Sequence, residues 1–158
     1  MKDREWIDSL FATADIHVKR LKYGLRRLQG KYPITVQQVE ELKEEDLLLW
    51  ELLTSRFSRL QDLLGNKIFT VVLSLTGENV DSWTMIDKVN KLEKLGLLPS
   101  SGSWLEMRLL RNHLSHEYPT HPEITANYLN QTVEAIPLLL KIVEELKRCA
   151  NEWLACQQ

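Results

Sequence analysis

Along nearly the whole chain, apolar residues recur three or four positions apart, a spacing that admits little except amphipathic helices. Ile7, Leu10, Ala14, Val18, Leu21, Leu25 and Leu28 form one such series, and Gly30 and Pro33 stop it. A second runs Leu49, Leu53, Phe57, Leu60, Leu64, Ile68, Val71 and Leu75, a helix roughly 40 Å long at 1.5 Å per residue. Gly65 sits inside it at a cost of about 1 kcal/mol relative to alanine, so a kink or a close helix crossing is expected there. "VVLSL" at 71–75 has strand propensity, but the helical period continues through it, and we read it as helix. Gly77 closes that series. A shorter helix follows over 84–95, with Gly96 in the C′ position.

"SWLE", Ser103 to Glu106, reads as a capping box opening the next helix. That helix is expected to end near Tyr118, because Pro119 biases its predecessor away from the α region. Pro122 suits the first position of a final helix running to about 153. Leu129, Val133, Ile136, Leu140, Val143 and Leu146 mark its buried face, and Pro137 is an expected kink. These elements make an all-α chain, a single domain over 1–158 built as a four- to five-helix up-and-down bundle.

Composition agrees. Six Gly and five Pro leave little room for a loop-rich all-β fold. "MKDREWIDSLF" carries acids and no apolar h-region, so no signal peptide is expected. The longest apolar runs, such as "LLLW" at 47–50, fall far short of a membrane span. Cys149 and Cys156 lie seven apart on one helix face, too distant along the axis for a disulfide, and make no zinc pattern. Free thiols without a leader point to the cytoplasm.

The net charge of −2 argues against a general nucleic-acid coat protein. It hides two blocks, however. Lys19, Arg20, Lys22, Arg26, Arg27 and Lys31 occur with no acid between them, and Glu40, Glu41, Glu44, Glu45, Asp46 and Glu51 with only Lys43. Bases at a helix end and acids at the next helix start explain this pattern. A basic surface that attracts RNA phosphates explains it too.

The chemistry concentrates in "LRNHLSHEYP", residues 110–119. On an ideal helix Trp104, Met107, Leu110, Leu114 and Tyr118 share one stripe, and Arg111 lies inside it. Arginine is almost never fully buried without a partner. His116 falls about 140° from Arg111, beside Leu105 and Leu109. One regular helix therefore does not aim both at one phosphate; a distorted last turn or a second protomer is needed. Three readings stand side by side. Arg111 and a histidine can be satisfied by buried carboxylates, with Tyr118 anchoring the helix end. His113, His116 and His121 can be spaced for a metal, although Pro119 interrupts them. Or the arginine fork binds phosphate while histidine moves protons near neutral pH. No Gly-rich phosphate loop, G-x-S-x-G elbow or H-E-x-x-H occurs, and neither cofactor nor metal is expected.

"RNHLSHEYP" resembles the R-x4-H-x-Y signature of HEPN proteins of the HepT type, with Arg111, His116 and Tyr118 on the motif positions and Asn112 as the polar residue after the arginine. "RFSRLQDLLGNKI" (56–68), "KVNKLEKLGLL" (88–98) and "SWLEMRLLRNHLSHEYP" (103–119) resemble consecutive blocks of that subgroup, and the likeness covers roughly residues 45–145. His113, inside the x4 stretch, departs from the pattern. The resemblance implies a two-fold homodimer whose motif helices line a shared cleft. It implies a metal-independent ribonuclease, acting on RNA as the toxin of a toxin–antitoxin pair. It also implies an MNT-type nucleotidyltransferase antitoxin that transfers AMP to Tyr118. Arg111 and His116 would be catalytic, with Asn112, His113 and Tyr118 supporting. The alternative is a non-catalytic adaptor that presents substrate to a minimal nucleotidyltransferase.

Overall fold

The computed structural model describes residues 4–157; residues 1–3 and 158, the ends of the expected domain and part of the leader reading, lie outside the described residues. The chain forms α1 (Arg4–Leu28), α2 (Val36–Glu40), α3 (Glu44–Leu63), a π turn (Leu64–Ile68), α4 (Phe69–Leu75), α5 (Met85–Lys94), α6 (Ser101–Leu114) and α7 (Pro122–Ala155). No strand occurs among the described residues. None of these helices is long and apolar enough to cross a membrane.

Each apolar series becomes the buried face of its helix. Leu10, Ala14, Leu21 and Leu28 of α1 face Trp50, Leu53, Phe57 and Leu60 of α3, and all join one core with Ile136, Leu139 and Leu146 of α7. Gly24 allows the α1–α3 approach, since a Cβ there would lie 2.5 Å from Leu53 Cδ2. "VVLSL" is helical, with Val71, Val72 and Leu73 buried. Gly65 falls in the π turn and under α6, where a Cβ would stand 3.2 Å from Trp104 Cζ2. The site of the expected disturbance is thus both a local irregularity and a close crossing. Fully buried Trp104 fills that crossing and meets Phe69 with ring centroids 4.5 Å apart.

Several expectations need correction. The α6 cap is Ser100, whose hydroxyl accepts from the Ser103 amide at 3.0 Å; Ser103 lies inside the helix and Ser103–Glu106 is not the capping box. Capping boxes occur instead at Thr35–Gln38 and Thr84–Asp87. The five-residue α2 was not expected, being too short for a period. On α7, Thr132 and Leu139 are fully buried, while Val133 and Leu140 only border the core. Pro137, the expected kink position, lies inside the 34-residue α7 with its ring exposed.

The charge blocks fall where helix electrostatics favour them. Arg26 and Arg27 occupy the last turn of α1, and Glu44, Glu45 and Asp46 the first turn of α3. Lys31 and Asp46 close the junction at 2.6 Å. Behind it, Asn130 of α7 clamps Ile34, accepting from its amide at 2.8 Å and donating to its carbonyl at 2.9 Å.

Candidate functional site

The motif straddles the end of α6. The helix stops at Leu114, short of Tyr118, so the expectation of a helix reaching Tyr118 is corrected. The reason is local. The Ser115 hydroxyl donates to the Asn112 carbonyl at 2.7 Å, and the Ser115 and His116 amides turn back to the Asn112 and His113 carbonyls. Serine competes with helix continuation in this way, and Pro119 then keeps Tyr118 out of the α region. His116, Glu117 and Tyr118 therefore lie on a non-helical segment, and the angle between Arg111 and His116 on an ideal helix no longer applies.

Arg111 has found a carboxylate. Its Nε and Nη2 donate to Oδ1 and Oδ2 of Asp62 on α3, at 2.8 and 2.7 Å. The side chains remain 30% and 37% exposed, so the pair is half-buried and wet on one side. Hydrogen bonding to Asp62 raises the guanidinium above its ordinary range, with burial opposing. Nη1 makes no hydrogen bond among the described residues, so one edge of the fork stays open. Arg111 lines a groove of about 440 Å³ together with Glu51, Ser55, Ser58, Arg59, Asp62 and Ser115.

A second cavity, about 140 Å³, abuts the first, with Leu114, Glu51 and Thr54 lining both. His113, His116, Glu117 and Tyr118 line it on the motif side, Trp50 and Tyr128 across from them. His113 is half-buried and stacks on Tyr128, centroids 4.7 Å apart and planes 9° from parallel. Tyr118 leans on the same ring at 5.7 Å. Its hydroxyl reaches the His113 carbonyl at 3.4 Å, a long and weak bond. The phenol is half-buried, neither sealed in the core nor free in solvent. Asn112 and His116 are exposed.

Within one chain, then, the residues assemble into neighbouring grooves. Tyr118, His113 and His116 share one, and Arg111 lines the other with Asp62. His121 pairs with Glu123 at 3.1 Å, away from that cavity's lining. No group of three or more His, Cys, Asp or Glu able to hold a metal occurs among the described residues. Cys149 is buried and Cys156 exposed, both as free thiols.

Sequence reasoning missed Asp62, Arg59, Trp50 and Tyr128. Asp62 lies 49 residues before Arg111, and nothing in its immediate surroundings distinguishes it from any acid on a solvated helix face. No protein-family model, curated protein or solved structure matches the chain, so the HEPN resemblance rests on the quoted residues alone.

Proposed function

We propose that the chain is a HepT-like HEPN toxin, an up-and-down helical bundle that pairs about a two-fold axis and cleaves RNA without a metal. The observation that carries this reading is the half-held Arg111 fork. Asp62 occupies one edge and fixes its direction, while the other edge makes no bond among the described residues, and the groove that Arg111 lines shares Leu114 with the cavity that His116 lines. An arginine prealigned by a carboxylate loses little freedom on binding phosphate.

Exposed His116 is one proton-transfer group per chain, whereas cleavage needs two. One His116 takes the 2′-hydroxyl proton as the 2′-oxygen attacks phosphorus. The second protonates the departing 5′-oxygen, leaving a 2′,3′-cyclic phosphate. Two-fold pairing along α6 supplies both histidines and both arginines. Control follows from Tyr118. Its phenol oxygen attacks the α-phosphorus of ATP on an MNT-type nucleotidyltransferase, pyrophosphate leaves, and the bound AMP obstructs the cleft by bulk and charge.

The adaptor reading draws on a specific observation as well: Asp62 already neutralises Arg111. Incubating the purified protein with RNA decides between them. Cleavage insensitive to EDTA, lost in Arg111→Ala and His116→Ala and largely kept in His113→Ala, supports the ribonuclease. Absence of cleavage by the wild-type dimer supports the adaptor. A dead His113→Ala with an active His116→Ala overturns the assignment of the proton-transfer residue.

A further inference from the structure

A second cationic cluster lies on the seam between α1 and α3. His17 of α1 is 4% exposed, and its Nδ1 stands 3.1 Å from Nη1 of Arg56 on α3. A guanidinium can only donate, so Nδ1 accepts and the ring proton resides on Nε2. The buried histidine thus holds Arg56 in place without neutralising it. Arg59 follows one turn later on α3, at the i,i+3 spacing that makes side chains neighbours. Arg20 follows His17 by one turn on α1, at the same i,i+3 spacing, and the charges of Arg59 and then Arg20 add to burial in lowering the Arg56 guanidinium below its ordinary range.

None of these three arginines makes an ion pair among the described residues. Asp62, the acid one turn beyond Arg59, is engaged by Arg111. Arg56 beside its neutral histidine is repelled by Arg59 and by Arg20, and an anion placed among them relieves that repulsion. The cluster is also continuous with the groove of Arg111, because Arg59 lines that groove. Along α3, Arg56 stands about 9 Å from Asp62, far enough to hold a different phosphate from the one at Arg111.

We infer that Arg20, Arg56 and Arg59 form a phosphodiester-binding site that grips the backbone of an RNA strand beside the Arg111 groove, with His17 positioning Arg56. The identity of the strand rests on the proposed ribonuclease reading; the anion site itself does not. Guanidinium forks match phosphate oxygens and carry no base preference of their own.

The test uses the full chain and a short fluorescein-labelled 2′-O-methyl RNA, which lacks the attacking hydroxyl, with anisotropy followed at rising KCl. Arg20→Gln/Arg59→Gln changes only exposed side chains. It should weaken binding about tenfold and lower the slope of log affinity against log salt by about one to two. The charge-matched pair Lys88→Gln/Lys94→Gln on α5 should stay within about twofold of wild type. Equal losses in both pairs, an unchanged slope in the arginine pair, or a wild-type protein that does not bind the probe would each overturn the site. Inorganic phosphate displacing the probe where chloride of equal ionic strength does not would make it a small-anion site and overturn the strand assignment. The two readings fail separately. Arginine-dependent binding by a protein that cleaves no RNA retains the site and rejects the ribonuclease. Cleavage by a protein whose arginine pair binds like wild type does the reverse.

Discussion

In Asp62→Ala, the Arg111 guanidinium loses two charge-assisted hydrogen bonds of 2.8 and 2.7 Å at once. Each is of a kind worth about 1.5–3 kcal/mol when dry. The pair is not dry: with side chains 30% and 37% exposed, water replaces much of what is removed. Exposed ion pairs contribute roughly 0.2–1 kcal/mol, whereas breaking a buried one costs roughly 3–5 kcal/mol. Bidentate geometry at intermediate burial places the coupling between Asp62 and Arg111 at about 1 kcal/mol. For a chain of this length that is a fall in Tm of roughly 2–4 °C. A double-mutant cycle with Arg111→Ala, read by urea denaturation, measures it directly. A coupling below about 0.3 kcal/mol means the bridge is not made in solution, and the prealigned fork fails with it. One above about 3 kcal/mol means the site is dry and the groove closed to phosphate. The same substitution has a kinetic signature: removing a negative charge from the groove should lower KM, while losing the alignment lowers kcat. A drop in kcat with unchanged KM would show that Asp62 does not face the bound phosphate.

Three further outcomes follow from other parts of the molecule. In Gly24→Ala, the new methyl meets fully buried Leu53 at 2.5 Å; overpacking of about 1–3 kcal/mol exceeds the helix gain of about 1 kcal/mol. Tm should therefore fall, and a rise in calorimetry would show that α1 and α3 pack less closely. Burial first, then Arg56 and Arg59, push the His17 pKa below its usual value. Its stability contribution is thus complete above about pH 6.5 and is lost as pH falls towards the lowered folded pKa. Urea midpoints should drop between neutral and mildly acid pH, and a drop of equal size in His17→Gln would assign it to other groups. Co-expression with an MNT-type nucleotidyltransferase should add AMP to Tyr118; intact mass showing no adduct, or one mapped to Tyr23, Tyr32 or Tyr128, rejects that control mechanism.

The long helices were legible because burying one face of a helix leaves a period of three and four, which α1, α3, α4 and α7 display without interruption. Gly96 and Thr84 bounded α5 through turn and cap chemistry that acts over a few residues. Where several residues could do the same job, the sequence did not choose. Ser100, Ser101 and Ser103 compete for one cap, and the hydroxyl–hydroxyl contact of 2.7 Å between Ser100 and Ser103 shows how close the competition is. Pro119 bounded the motif helix from outside, but the Ser115 hydroxyl ended it sooner. Arg111 was conspicuous as a charge in an apolar stripe. Asp62, which answers it, was invisible, because the contact depends on how α3 crosses α6. The stack of His113 on Tyr128 was hidden for the same reason, since α6 and α7 must meet before it exists.

The proposed cleavage site takes His116 from both protomers of a dimer. Mixing wild type with His116→Ala, allowing subunits to exchange, and assaying RNA cleavage across mixing ratios tests it. If both histidines are needed, activity follows the square of the wild-type fraction, and an equal mixture retains about a quarter of the wild-type rate. An equal mixture that retains about a half, as independent sites require, would show that each protomer cleaves with its own His116 alone.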